Sequence, residues 1–131
     1  MNARILVIED ERAIARAVAL RLETAGFVAE CAGSAIEGLE LAATGRFSAV
    51  LLDLRLPDLD GLEALARLGA DPRTRALPVV VLSASLSDRT RDAALVLGAS
   101  AALAKPFGSR ELLRAVEAAL ASSALRAGGA A

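Results

Sequence analysis

Residues able to handle anionic oxygen stand at the ends of four separate apolar runs in this chain. Glu9 and Asp10 follow Ile5–Ile8, Asp53 follows Val50–Leu52, Ser83 follows Val79–Leu82, and Lys105 follows a short run beginning at Ala101. Carboxylates a few Å apart repel one another unless a cation lies between them. With no histidine or cysteine in the set, all-oxygen ligation suits a hard divalent ion, Mg2+ or Mn2+. Lys105 is the only lysine in a chain whose other basic residues are arginine. At a strand tip it is a compact point charge with reach toward anionic oxygens. Ser83 adds a hydroxyl donor. Together they can hold a phosphoryl group, with metal and ammonium on its oxygens and Asp53 as the free carboxylate. Each piece alone is ordinary: an acidic pair is a helix start, Asp60-Gly61 a turn, Ser83 a capping serine, Lys105 a surface lysine. The conjunction carries the reading.

Positioning such a set needs a sheet whose strand ends share one edge. Apolar runs at Ile5–Ile8, Phe27–Cys31, Phe47–Asp53, Val79–Leu82 and Ala101–Ala104 read as five strands. Between them lie stretches with helical spacing: Ile14, Val18 and Leu22; Ile36, Leu39 and Leu41; Leu62, Leu65 and Leu68; Asp88 to Leu97; and Leu112, Leu113, Val116 and Leu120. Asp10, Ser34 (with Glu37 in a capping box), Ser87 and Ser109 are the expected helix caps. Gly26, Gly45 and Gly98 are the expected stops. Pro57 to Gly61 breaks the chain after Asp53. Strand-helix alternation with short connections implies an α/β, doubly wound parallel sheet covered on both faces. In such sheets the site lies outside the carboxyl ends of the strands.

Composition removes most other chemistries. At 131 residues, 55% hydrophobic and 24% charged, the chain suits one domain over residues 1–122 with a loose tail over 123–131. Histidine is absent, which disposes of hydrolase triads and most zinc sites. A net charge of -1, with no tryptophan or tyrosine, argues against direct nucleic-acid binding. No run of about 18 apolar residues could cross a membrane, and the N-terminal apolar stretch is too short for a signal peptide. The lone Cys31 reads as a small buried residue, and a cytoplasmic, reducing location is expected. Glu9-Asp10-Glu11 stands where a dinucleotide-binding loop needs glycine, and there is no P-loop and no GxSxG elbow.

The ordered positions resemble the receiver domains of bacterial two-component response regulators. The resemblance runs from Ile5 to Leu120 through Glu9-Asp10, Asp53 with Pro57 and Asp60-Gly61, Ser83-Ala84, Gly98-Ala99 and Lys105-Pro106-Phe107. It implies a (βα)5 flavodoxin-like three-layer sandwich in strand order 2-1-3-4-5. It also implies that Asp53 accepts a phosphoryl group from a sensor histidine kinase or histidine phosphotransfer protein. Glu9, Asp10, Asp53 and the Arg55 backbone carbonyl would then hold Mg2+, while Ser83 and Lys105 would bind phosphoryl oxygens. A cis Lys105-Pro106 bond belongs to the same pattern, and the only catalysis implied is phosphorylation and dephosphorylation of the domain itself.

One departure stands out. The family usually carries tyrosine or phenylalanine at the position of Ala102, a ring that reports phosphorylation. Alanine implies weaker coupling, or coupling through loop and helix movement around Ser85 to Ala93, with Ala84 as a further switch position. The Arg55 side chain is expected over the site, tuning the lifetime of the phosphoryl group. The alternative is a phosphorylation-independent interaction module of the same fold. A dehalogenase-like phosphatase needs an aspartate at position 55 and fails on Arg55. These residues carry no DNA-binding or catalytic output domain, which fits a stand-alone regulator and part of a longer one equally.

Overall fold

The computed structural model describes residues 2–130, with side chains through residue 123. Strands β1 (Arg4–Ile8), β2 (Val28–Ala32), β3 (Ala49–Asp53), β4 (Val79–Ser83) and β5 (Ala101–Ala104) form one sheet in the order β2-β1-β3-β4-β5. Every pairing is parallel, so all the strands end at the same edge. Helices α1 (Arg12–Thr24), α2 (Ala35–Ala42), α3 (Gly61–Ala70), α4 (Asp88–Val96) and α5 (Ser109–Ala130) alternate with them. This is the doubly wound (βα)5 architecture expected from the alternation of runs. No helix among the described residues is long and apolar enough to cross a membrane. The expected tail over 123–131 falls almost wholly on residues whose side chains lie outside the described set.

The sheet divides two cores. On one face Leu6, Ile8, Val50, Leu52, Val79 and Val81 pack under α2, α3 and α4. On the other Ile5, Val7, Leu51, Val80 and Leu82 pack under α1 and α5, against Val18, Leu22, Leu112 and Val116. Successive strand residues point to opposite faces, which is why the central runs are apolar without alternation. β3 and β4 are buried at every residue, including the terminal Asp53 and Ser83.

Several local expectations need correction. Asp10 does not cap α1; Glu11 is the cap residue, and the Glu11 N–H donates to the Glu9 carboxylate at 3.3 Å. The Asp10 carboxylate is gathered with those of Glu9 and Asp53 instead. Ser109 lies inside α5, whose first turn closes from the Leu112 N–H to the Gly108 carbonyl. Ile36 is exposed, because α2 seats on the sheet through Ala35, Gly38 and Ala42. Cys31 is exposed as well, since β2 is an edge strand. Ser34 and Ser87 do cap their helices, accepting from the Glu37 and Thr90 N–H groups. Gly26, Gly45 and Gly98 all take positive φ at helix ends.

The loop after β3 is closed by a tight approach. The Gly61 N–H donates to the Leu54 carbonyl at 3.2 Å, and a Cβ on Gly61 would overlap the Leu54 backbone. Backbone cannot rotate aside as a side chain can. Gly61→Ala should therefore destabilise the fold by about 1–3 kcal/mol, read as a lower midpoint in urea unfolding. An unchanged midpoint would contradict this packing.

Candidate functional site

The parallel strands bring the charged residues together because all end on one edge. β1 delivers Glu9 and Asp10, β3 delivers Asp53, β4 delivers Ser83, and Lys105 follows β5 directly. Glu9, Asp53 and Ser83 are buried, Lys105 is half-buried, and Asp10 is exposed at the rim. Carboxylate oxygens from Glu9, Asp10 and Asp53 lie within 4.8 Å of one another. Lys105 bridges two of them, its Nζ donating to Glu9 Oε1 at 2.6 Å and to Asp53 Oδ2 at 3.2 Å. The other Asp53 oxygen, Oδ1, accepts from the Arg55 N–H at 3.1 Å. Both oxygens of the buried carboxylate are thus oriented.

The remaining site residues frame this centre. Ser83 Oγ accepts from the Ser85 N–H at 3.1 Å, which leaves its own proton for another acceptor. The Lys105 N–H donates to the Ser83 carbonyl at 2.8 Å, locking the two strand ends together. The Lys105–Pro106 peptide is cis. Ala84, Arg55 and Pro106 are exposed beside the site. Ala102 is buried, and Arg91 of α4 donates from Nη1 to its carbonyl at 3.1 Å. Arg91 had no signal in the sequence, since the contact joins a polar helix to an edge strand. An apolar groove floored by Ile14, Val18, Pro106 and Phe107 opens beside Lys105.

Burial sets the electrostatics. It raises Glu9 to about 7, with the neighbouring Asp53 adding to the rise and Lys105 opposing it. For Lys105, burial works against the ammonium, but the Glu9 hydrogen bond and the Asp53 charge outweigh it and raise its pKa. One ammonium thus faces two buried carboxylates. Three carboxylates with no nitrogen or sulfur donor among them fit a hard divalent cation.

A carboxylate raised in the folded state holds a proton that the unfolded chain releases. Its contribution to stability is present at or below the unfolded value and is lost as pH rises through the folded one. In EDTA, urea midpoints should therefore fall as pH is raised from about 4.5 to about 7, and Glu9→Gln should flatten that dependence. An equal slope in both proteins would show that Glu9 titrates normally.

The chain matches the family described as response regulator receiver domain over residues 5–117. It is 42% identical over 120 residues to an uncharacterized transcriptional regulatory protein, YkoG, of Bacillus subtilis, covering 91% of this chain and 51% of that protein. The crystal structure of a CheY-like receiver domain protein from Methanospirillum hungatei matches with a TM-score of 0.88 at 28% identity, covering 96% of this chain and 99% of that one. A response regulator from Burkholderia pseudomallei, crystallised with a phosphorylated aspartic acid, a calcium ion and citrate, has a TM-score of 0.79 at 31% identity. That match covers 87% of this chain and 66% of the other. The chain spans about half the length of the curated relatives it matches.

Proposed function

This chain belongs to the response regulator receiver domains, and from that footing we propose that it is a phosphorylation switch with Asp53 as phosphoacceptor. Receiver domains signal by taking up and losing a phosphoryl group and catalyse nothing beyond that exchange. The observation that carries the reading is the buried Asp53 carboxylate, with both oxygens held and Lys105 Nζ at 3.2 Å.

The donor is a histidine phosphorylated on a sensor kinase or phosphotransfer protein. An Asp53 oxygen attacks phosphorus as the bond from phosphorus to the imidazole nitrogen breaks, and the imidazole leaves. The groove beside Lys105 gives the donor protein a landing next to the nucleophile. Glu9, Asp10 and Asp53, with the Arg55 carbonyl, would hold Mg2+ or Mn2+, which screens the repulsion between an anionic nucleophile and an anionic donor. Lys105 then exchanges its carboxylate partners for a phosphoryl oxygen, and Ser83 donates its free proton to another. The exposed Arg55 side chain tunes how long the phosphoryl group lasts. A reducing, cytoplasmic setting goes with this role.

Ala102 shapes how the switch is read out. With no ring at that position, movement of Ser83 passes to the segment from Ala84 to Ser87 and then into α4. That helix buries only Ala94 among its described residues and reaches β5 through the Arg91 contact. The same absence of a ring favours the second reading, an interaction module of receiver fold that works without phosphotransfer.

Incubation with Mg2+ and acetyl phosphate should add the mass of one phosphoryl group to the wild type and none to Asp53→Asn. An unmodified wild type would favour the second reading. On phosphorylation or its beryllofluoride mimic, amide shifts should concentrate at the strand-end loops and along residues 84–93. Shifts spread fully over β5 and α5 would overturn the proposed route.

A further inference from the structure

The loop after β3 is tied to a second helix far from it in sequence. Asp58 Oδ1 accepts from the Ala35 N–H at 2.9 Å, and Asp58 Oδ2 accepts from the Ile36 N–H at 2.9 Å. These are two of the N–H groups that a helix start leaves without an internal partner. Ser34 satisfies the next, that of Glu37. The first turn of α2 is therefore shared between its own cap and a carboxylate from the β3–α3 loop. Hydrogen bonds from Ile36 and then Ala35 hold the Asp58 carboxyl below its ordinary range, so it stays ionised at neutral pH.

The helix that receives this clamp is fixed against the other half of the site. Gly38 of α2 sits so close to Ile8 that a Cβ there would lie 2.7 Å from Ile8 Cγ1. Ile8 is the residue before Glu9, whose N–H donates to the Ala32 carbonyl at the end of β2. The α2 start thus takes its position from the β1 tip that bears Glu9 and Asp10. Asp58 ties to it the loop that bears Arg55. The loop is already fixed at its far end, where Asp60 caps α3 and Gly61 meets Leu54. In between, Leu56 and Leu59 pack on the core beneath, and Asp58 makes the loop's only described hydrogen bonds to a neighbouring element.

We propose that Asp58 is a positioning residue for the phosphoacceptor site: by bridging the β3–α3 loop to the start of α2, it holds Asp53 and Arg55 in register with Glu9 and Asp10. The inference rests on the receiver reading for its metal and phosphoryl chemistry. Its geometric part stands apart from that reading, because the clamp fixes the Arg55 N–H on Asp53 Oδ1 in the metal-free protein. Both Asp58 oxygens are engaged by the Ala35 and Ile36 N–H groups, so its effect on a metal or phosphoryl group is indirect, through the loop.

Two variants separate positioning from simple loss of a helix cap. Asp58→Ala removes the bridge. Ser34→Ala removes a bond from the same turn of α2 and leaves the loop tied. Mg2+ affinity by calorimetry should weaken about ten-fold in Asp58→Ala and stay within about two-fold of wild type in Ser34→Ala. Exchange of the Arg55 amide in metal-free protein should accelerate only in Asp58→Ala. Asp58→Asn, which keeps one acceptor oxygen, should lie between wild type and alanine, and it decides the matter if the alanine variant fails to fold. Equal effects of Asp58→Ala and Ser34→Ala on both measurements, or no effect of either, would overturn the proposal. Should the wild type bind no Mg2+, the receiver reading of the site falls, while Arg55 exchange still decides the clamp.

Discussion

Two buried carboxylates share one ammonium at the edge of this sheet, and the fold must be strong enough to hold them there. Glu9 and Asp53 are each almost fully enclosed, with Asp10 beside them and Lys105 reaching both. Burial makes each charge costly, and a single cation leaves the cluster with an excess of negative charge. What opposes that cost is the apolar sheet beneath. β3 and β4 are buried along their whole length between two cores, so Asp53 and Ser83 cannot swing out to water without disturbing the centre of the molecule. The local frustration is stored at the place where a divalent cation and a phosphoryl group would act.

Lys105 carries this balance. Its backbone N–H is pinned to Ser83, and its side chain spans the gap to the carboxylates. As counter-ion it stabilises the metal-free cluster, and on the proposed reading it turns to the phosphoryl oxygens once Asp53 is modified. Away from this edge the structure loosens in one direction. α4 has little buried side chain and exposes Leu95, Val96 and Leu97, whereas α1, α3 and α5 each bury several apolar residues. On the proposed reading, a charge change at the site is passed toward α4.

The fold was legible where a local pattern has only one structural use. Apolar runs marked the strands, three glycines with positive φ marked helix ends, and parallel order put the run ends on one edge. Legibility failed where partners lie far apart in the chain. Nothing near Asp58 announces that it bonds to Ala35 and Ile36, and nothing near Arg91 announces the Ala102 carbonyl. Asp10 reads in the sequence both as a helix cap and as one of three strand-end carboxylates, and only the second use holds, because Glu11 takes the cap and Asp10 lies beside Glu9 and Asp53. Helical spacing puts Ile36 inward, yet α2 rests on the sheet through Ala35, Gly38 and Ala42, with Gly38 too close to Ile8 to carry a Cβ. Cys31 illustrates the same limit, since only the strand order tells that β2 lies at the edge.

Excess negative charge at this edge should cost folding energy until a cation offsets it. This cost is tested most directly by equilibrium urea unfolding of wild type and Asp53→Asn at a pH above the Glu9 transition, with EDTA and with Mg2+. In EDTA the asparagine variant should be the more stable protein. Mg2+ should raise the wild-type midpoint and have much less effect on the variant. A wild type that is more stable than Asp53→Asn in EDTA and indifferent to Mg2+ would contradict this.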